Sequence, residues 1–277
     1  MKKFILGVGA QKAGTTWLHR YFRSFDCFDP GFAKEYHVFD ALTLPECPGV
    51  RDDIQAQALA ELGRGFDKWK DAATIKQIAM LSDTEYYFFY FNKILHKDGV
   101  QFSADITPTY SGLSAETLSY IKAGFQKRRI EVLPIFLMRE PVSRLNSMVK
   151  MRFRENGIVA SKEQELDAMR QLCGSAHERI RSDYQFTYRN LEEVFGDHKF
   201  VGFYENLFTD AEIDRLCQFL GLPRNPANFK KRINQSPSLN KFDESELRAF
   251  RQHYEDQYLF VEKQFSTQCW RPMEAHS

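Results

Sequence analysis

The sequence predicts an α/β fold in which a central parallel sheet is covered by helices on both faces. Short apolar runs typical of buried strands alternate along the chain with longer segments typical of helices. Such alternation indicates strands joined by helical crossovers, and therefore a parallel sheet. The 277 residues can bury a substantial core, and neither an internal repeat nor a low-complexity segment divides them. We expect a single domain over residues 1–277.

Four apolar runs are predicted as strands. Each is short and rich in the aliphatic and aromatic residues that strands favour. The run 130–138 is the clearest of them, because Glu131 is its only charged residue. In chain order the predicted strands are 4–8, 101–106, 130–138 and 199–204.

Helices are predicted between these strands from helical spacing and from terminus signals. Pro141 begins a helix directly after the third strand, since proline is favoured in the first turn. Gly221 ends an amphipathic helix over 210–220, as glycine commonly does. Prolines, glycines and asparagines indicate loops at 41–50 and 223–242. The other predicted helices are 17–22, most of 52–95, 114–126, most of 161–196, and 243–265.

The composition argues against a nucleic-acid-binding, a disulfide-rich or a membrane-spanning protein. Lysine plus arginine number 38 against 37 aspartates plus glutamates, so no overall field favours nucleic acid. The five cysteines include no C-x-x-C pair, which argues against a disulfide framework or zinc site and favours a reducing compartment. No stretch approaches the ~20 apolar residues of a membrane span. We expect a cytoplasmic protein.

The segment after the first strand nearly matches a phosphate-binding P-loop. The pattern is G-x-x-x-x-G-K-[ST], and Gly9, Gly14 and Thr16 occupy its glycine and hydroxyl positions. Thr15 stands where the lysine should be, and the loop's lysine is Lys12, three residues earlier. Backbone amides at a helix N-terminus still form an anion site. We therefore expect a P-loop-like three-layer fold that binds a nucleotide; the alternative is an unrelated glycine turn.

This altered loop resembles the 5′-phosphosulfate loop of sulfotransferases that use 3′-phosphoadenosine 5′-phosphosulfate (PAPS). In that family the early lysine contacts the phosphosulfate, and the hydroxyls after the glycine hold the 5′-phosphate. The resemblance implies PAPS as donor, 3′-phosphoadenosine 5′-phosphate (PAP) as product, and no metal. A cation near the departing phosphate would stabilise its growing charge. The matching residues are Gln11, Lys12, Ala13, Gly14, Thr15, Thr16, Trp17 and Leu18, of which Trp17 either flanks the adenine or belongs to the core.

A second nucleotide motif follows the strand 130–138. Arg139 lies directly after the strand, where ligands of open α/β sheets bind, and Ser147 lies about two helical turns later. The segment resembles the family's 3′-phosphate segment, which implies that Arg139 and Ser147 bind the 3′-phosphate through a guanidinium fork and a hydroxyl. The alternative is an ordinary surface arginine and a helix serine. Arg144 could simply be solvated or salt-bridged.

The segment 34–40 resembles the K-E-x-H-F-F-D segment of heparan-sulfate-type carbohydrate sulfotransferases. The resemblance implies that Glu35 is the catalytic base, with His37 as second choice, and that Lys34, His37 and Asp40 line the donor–acceptor junction. An alcohol needs such a base, since its pKa lies far above neutrality. The alternative is that Glu35 pairs with a surface cation and that His37 is a core histidine.

Two further segments resemble family elements less completely. Residues 105–110 resemble E-K-[ST]-P-x-Y, but Asp105 replaces the glutamate and Ile106 replaces the lysine. The chain must therefore use another cation there or do without one. The basic run 230–232 and the polar residues after it resemble a loop that closes over the 3′-phosphate. Its contacts would be Arg232, Asn234 and Ser236; the alternative is a solvated loop.

Together these segments predict transfer of a sulfuryl group from PAPS to a hydroxyl, or as a second choice to an amine. The motifs are closest to those of the heparan-sulfate-type enzymes, although Ile106 weakens any inference about the acceptor from them. The expected acceptor is a hydroxyl-bearing small molecule or carbohydrate. Two alternatives stay open: a P-loop kinase-like NTP-dependent phosphotransferase, which would need lysine at position 15, and a non-catalytic nucleotide-binding protein. Neither the acceptor nor the oligomeric state follows from the sequence. The aromatic residues of 86–91 either line an acceptor cleft or fill the core.

Overall fold

The computed structural model of the chain describes residues 1–64, 73–229, 240–266 and 270. Its strands in these ranges are Lys2–Gly7 (β1), Phe28–Asp29 (β2), Phe102–Ile106 (β3), Ile130–Met138 (β4) and Phe200–Phe203 (β5). They form a parallel sheet in the order β2-β3-β1-β4-β5. The sheet and the helices around it confirm the predicted α/β fold. The two-residue strand β2 was not predicted, because it is too short to show a pattern.

The central strand of the sheet is β1. Its Ile5 pairs with Ala104 of β3 on one side and with Leu133 of β4 on the other. Strands covered on both faces show continuous apolar runs, which explains the patterns that predicted β1 and β4. Because the strands are parallel, the chain leaves β1, β3 and β4 at the same edge of the sheet. The residues that follow them there are Val8, Thr107 and Arg139.

The helices agree with the sequence predictions in most places and differ in two. The loop predicted over 41–50 is wrong in part, since helices occupy both of its ends. The helix predicted over 243–265 is two helices, which meet at the buried Tyr254. In chain order the helices are Thr15–Phe22 (α1), Phe39–Thr43 (α2), Pro48–Leu62 (α3), Ala73–Ser82 (α4), Thr84–Leu95 (α5), Ala115–Gln126 (α6), Pro141–Glu155 (α7), Lys162–Leu172 (α8), Ala176–Ser182 (α9), Tyr184–Phe195 (α10), Asp210–Leu220 (α11), Glu244–His253 (α12) and Glu255–Phe265 (α13), with a 3₁₀ turn at Pro108–Gly112.

Aromatic side chains fill the space between the sheet and helices α5 and α6. Phe4 of β1 stacks on Phe125 with ring centroids 4.0 Å apart and meets Phe91 edge-on at 4.6 Å. Tyr87, Phe88 and Phe91 of α5 are fully buried. The core alternative therefore holds for these three, whereas Phe89 of the same segment is 50% exposed.

A buried ion pair joins α7 to α9. The guanidinium of Arg144 and the carboxylate of Glu178 contact each other, and both side chains are fully buried. Of the two alternatives for Arg144, the salt bridge is confirmed. The pair fixes α9 beside the helix that follows β4.

Candidate active site

A cavity of about 1110 Å³ lies at the carboxyl edge of the sheet. Its walls come from the segments after β1, β3, β4 and β5, together with α7 and parts of α3 and α9. Lys34, Glu35 and His37 complete them. Most of the site residues predicted from the sequence line it: Lys12, Gly14, Thr15, Thr16, Trp17, Glu35, His37, Arg139 and Ser147. Ala13 is fully buried and is not part of the cavity wall. Arg232, Asn234 and Ser236 lie outside the described residues.

The loop between β1 and α1 presents backbone amides to this cavity. Gly14 caps α1 with a φ of 91°, and no side chain in the described ranges makes a capping hydrogen bond to the helix. A Cβ at Gly14 would lie only 2.5 Å from Leu207 Cδ2, so both the backbone and the packing require glycine. The first amides of α1 are therefore left for a ligand, as at other anion-binding helix N-termini.

Positive charge gathers beside these amides. Burial, with the neighbouring charges of Arg154 and Arg139, lowers the pKa of Lys12 to about 8. Arg139 donates to the carbonyl oxygen of Lys12 at 3.0 Å and lies 4.3 Å from the ring centre of Tyr204. Its Nε is buried without a hydrogen-bond partner among the described residues. This end of the cavity is suited to a ligand with several negative charges.

One face of α7 forms the adjoining wall. Ser143, Asn146, Ser147, Lys150 and Arg154 recur at intervals of three or four residues, so they share that face. The buried Oδ1 of Asn146 has no partner among the residues described. Ser147 was predicted from the sequence and the other four were not, although their helical spacing from Ser147 marks them.

Two carboxylates enclose the imidazole of His37 at another part of the wall. His37 Nε2 lies 3.2 Å from Glu35 Oε2, and Nδ1 lies 2.7 Å from Asp40 Oδ2. Burial alone would lower the pKa of His37, but the hydrogen bonds to Asp40 and Glu35 raise it to about 10. Burial would raise the pKa of Glu35, but His37 and Lys34 hold it at about 2. At neutral pH, an imidazolium therefore lies between two carboxylates.

Glu35 is the member of this cluster that can accept a proton. It is ionised at neutral pH, and 36% of its side chain is exposed. His37 is protonated and bonded through both nitrogens, so it has no free lone pair. The alternative, in which Glu35 pairs with a cation and His37 is a hydrogen-bonded core histidine, describes part of what is observed. Glu35 does pair with Lys34, and His37 is hydrogen-bonded. All three residues nevertheless line the cavity.

Lys34 connects the two parts of the site. Its Nζ forms an ion pair with Glu35 and lies 3.4 Å from the hydroxyl of Thr15, the first residue of α1. The lysine therefore contacts the proton acceptor and the anion-binding helix N-terminus at once. The cavity thus joins an anion site to a proton acceptor through one cation.

The end of β3 supports the site without lining it. Asp105 is fully buried and accepts hydrogen bonds from the hydroxyls of Tyr87 and Tyr110, each at 2.9 Å. Ile106 is also fully buried, and a Cβ added to Gly7 would lie 2.7 Å from its Cγ2. Position 106 therefore packs in the sheet and supplies no charge. Arg181 of α9 lines the cavity instead, and no sequence signal singled it out.

The described residues contain no group of three or more His, Cys, Asp or Glu that could hold a metal ion. Within the same ranges, no helix combines the length and apolar character needed to cross a bilayer. A second cavity, of about 790 Å³ between α10 and α13, contains none of the predicted site residues.

Solved structures of sulfotransferases resemble this chain. A sulfotransferase from Alicyclobacillus acidocaldarius aligns with a TM-score of 0.60 and 16% identity over 98% of this chain and 100% of that one. The sulfotransferase domain from the curacin biosynthetic pathway aligns with a TM-score of 0.49 and 14% identity, over 96% of this chain and 98% of its own. At 16% identity the likeness to the first of these structures concerns the fold. No curated protein sequence matches the chain.

A sequence model of one family covers most of the chain. The family is described as the sulfotransferase family, and the match runs over residues 4–226. These residues include the loop after β1, the segment 34–40, and Arg139 with Ser147. The chain therefore belongs to the sulfotransferase family.

Proposed function

We propose that the chain transfers a sulfuryl group from PAPS to a hydroxyl, or as a second choice to an amine. The observation that carries this proposal is the single cavity in which Lys34 links an uncapped, cationic helix N-terminus to the carboxylate of Glu35. The likeness of segment 34–40 to heparan-sulfate-type enzymes favours a carbohydrate hydroxyl among the possible acceptors.

The donor end of the site holds the nucleotide in this proposal. The 5′-phosphate is bound by Lys12, by the backbone amides that follow Gly14, and by the hydroxyls of Thr15 and Thr16. Trp17 lies beside the adenine. Arg139 and Ser147 bind the 3′-phosphate. The Nε of Arg139, which has no partner among the described residues, and the cationic neighbours of Lys12 both suit a ligand rich in phosphate oxygens.

Glu35 removes the acceptor's proton as transfer proceeds. The acceptor oxygen forms a bond to sulfur while the bond from sulfur to the 5′-phosphate oxygen breaks. Lys12 and Lys34 stabilise the negative charge left on that phosphate. When Lys34 turns toward the donor, Glu35 loses part of the interaction that lowers its pKa and becomes a stronger base. His37, held by Asp40, keeps the Glu35 carboxylate in place.

Replacing Arg139 tests the donor assignment. We expect Arg139→Ala to weaken binding of PAP by about 10- to 100-fold, the scale of lost charge-assisted hydrogen bonds. Binding of adenosine 5′-monophosphate, which lacks the 3′-phosphate, should change little. Titration calorimetry with both nucleotides measures the difference, and Arg152→Ala, at an exposed position on α7, is the control.

Two results would contradict the proposal. Equal losses of both nucleotides in Arg139→Ala would remove the 3′-phosphate assignment. Stronger stabilisation of the wild-type chain by ATP·Mg²⁺ than by PAP, measured by thermal shift, would favour a phosphotransferase instead.

A further inference from the structure

Arg181 of α9 is a buried cation whose charge has no ionic partner in the described part of the chain. Its side chain is 5% exposed and lines the cavity. One terminal nitrogen donates to the carbonyl oxygen of His177, and Nε is buried without a partner among those residues. The thiol of Cys47 also hydrogen-bonds to the guanidinium, but burial raises the pKa of that thiol, so it supplies no counter-charge. Asp40 is the carboxylate that acts on it electrostatically, but Asp40 already accepts from Thr109 and bonds to His37. A buried guanidinium left in this state is unfavourable until an anion reaches it.

The position of Arg181 is fixed by contacts on both sides of α9. Ser111 of the 3₁₀ turn donates to the carbonyl oxygen of Ile180 at 2.7 Å. The buried pair of Arg144 and Glu178 holds the same helix against α7. These contacts hold Arg181 in a fixed position in the cavity wall.

The surroundings of Arg181 place it at the acceptor end of the cavity. Asp40 lies near it, and Asp40 also holds His37 of the proton-accepting cluster. Thr109, which donates to Asp40, lines the cavity beside them. The cations of the nucleotide end, Lys12 and Arg139, neighbour each other instead.

We propose that Arg181 binds an oxyanion carried by the acceptor, so that the enzyme selects hydroxyl compounds bearing a carboxylate, sulfate or phosphate near the sulfated position. This inference rests on the proposed sulfuryl transfer and adds a substrate class to it. A planar guanidinium with free donors pairs with such groups in a bidentate fashion. The acceptor's anion would supply the ionic partner that Arg181 lacks among the described residues.

Matched acids and neutral analogues test this selection on the full chain loaded with PAP. The probes are 4-hydroxybenzoate against 4-hydroxybenzamide, glucuronate against glucose, and glucose 6-phosphate against glucose. We expect at least one anionic member to bind the wild-type chain about tenfold more tightly than its neutral partner, as measured by calorimetry. Arg181→Gln should abolish this preference, and Arg181→Lys should keep part of it. Arg179→Gln, at an exposed position on the same helix, should keep all of it.

Two outcomes overturn the inference. One is equal binding of acids and neutral analogues to the wild-type chain. The other is a preference that survives in Arg181→Gln. Circular dichroism and PAP binding show whether each variant is folded. If Arg181→Gln does not fold, the partial preference expected of Arg181→Lys provides the test instead.

The donor's own sulfuryl group is the other anion that Arg181 could meet. PAPS carries this group and PAP does not, so their affinities separate the two cases. An unchanged ratio of PAPS to PAP affinity in Arg181→Gln supports the acceptor assignment, and a lowered ratio overturns it. If PAP fails to bind the wild-type chain, the proposed function fails, while the acid and neutral pairs still test Arg181 on the unloaded chain.

Discussion

Glu35 is the residue on which the proposed chemistry depends most directly. Its carboxylate is ionised, partly exposed to the cavity and held by two cations, Lys34 and His37. Removing its charge while keeping its shape should affect proton transfer much more than nucleotide binding.

We expect Glu35→Gln to bind PAP within about twofold of wild type and to lose at least about 10² in turnover, the scale of a lost general base. Transfer from labelled PAPS to acceptors in a cell extract measures the turnover, and calorimetry measures PAP binding. Glu116→Gln, at an exposed site on α6, is the control. Unchanged turnover in Glu35→Gln would eliminate this residue as the base.

The lowered pKa of Lys12 predicts that the protein takes up protons when PAP binds. The pKa is about 8, so at pH 8 Lys12 is neutral in about half of the molecules of the free protein. A bound polyanion favours the charged form, so PAP binding at pH 8 should take up about half a proton. The phosphates of PAP are fully ionised at that pH and contribute little, since their second pKa is about 6.

Calorimetry in buffers of different ionisation enthalpy measures this uptake. At pH 6, where Lys12 is already charged, its contribution should vanish. Lys12→Arg stays charged throughout and should show no uptake at pH 8. Equal uptake by that variant and by wild type would assign the proton to another group.

The sequence predicts some of the site residues better than others, for a physical reason. Lys12, Arg139 and Ser147 stand at fixed offsets from strand ends, so a local pattern is enough to select them. Arg181 reaches the cavity from a short helix whose place depends on tertiary contacts, and no local pattern encodes those. Protonation states also lie beyond the sequence, because they follow from distances such as the 2.7 Å between His37 and Asp40.

At the scale of elements, α7 has two tasks. One face carries Ser147 and its neighbours along the cavity, while Arg144 anchors α9 through the buried pair with Glu178. The same helix therefore positions residues at both ends of the proposed site.

Breaking this pair on one side should be costly. We expect Glu178→Gln to lower the free energy of unfolding by about 3 kcal/mol, because it leaves the Arg144 guanidinium buried without its counter-charge. Urea unfolding measures the change. The double variant Arg144→Met with Glu178→Leu should lose much less. Asp167→Asn, which removes the exposed pair with Arg170 on α8, should cost under about 1 kcal/mol. A cost for Glu178→Gln as small as that of Asp167→Asn would show that the pair does not anchor α9.

Element boundaries were predictable where the sequence itself marks them. The ends of β4 and the start of α7 agree with the prediction, since an apolar run stops at Arg139 and Pro141 begins the helix. The break between α12 and α13 at Tyr254 has neither proline nor glycine to mark it. Packing of the buried Tyr254 ring coincides with that break, and such packing is invisible to local patterns.

At the scale of the whole molecule, one hydrophobic cluster extends from Phe4 to Trp270. The prediction of a single domain therefore leads to an expectation about unfolding. Far-ultraviolet circular dichroism and tryptophan fluorescence should follow one coincident transition in urea. PAP at 100 times its dissociation constant should stabilise the chain by about 2.7 kcal/mol by both probes. Two separate transitions, of which PAP shifts only one, would indicate two domains.

The central place of β1 also affects how the protein is made. β1 pairs with β3 and β4, whose last residues follow Gly7 by roughly 100 to 130 positions. At about 5–20 residues per second, the ribosome needs roughly 5 to 25 seconds to supply these partners. Until then β1 has no strand to pair with, and the loop after it has no sheet to lie on. A nascent chain that stops short of Met138 therefore cannot assemble the nucleotide end of the site, and its unpaired apolar strand is open to capture by chaperones.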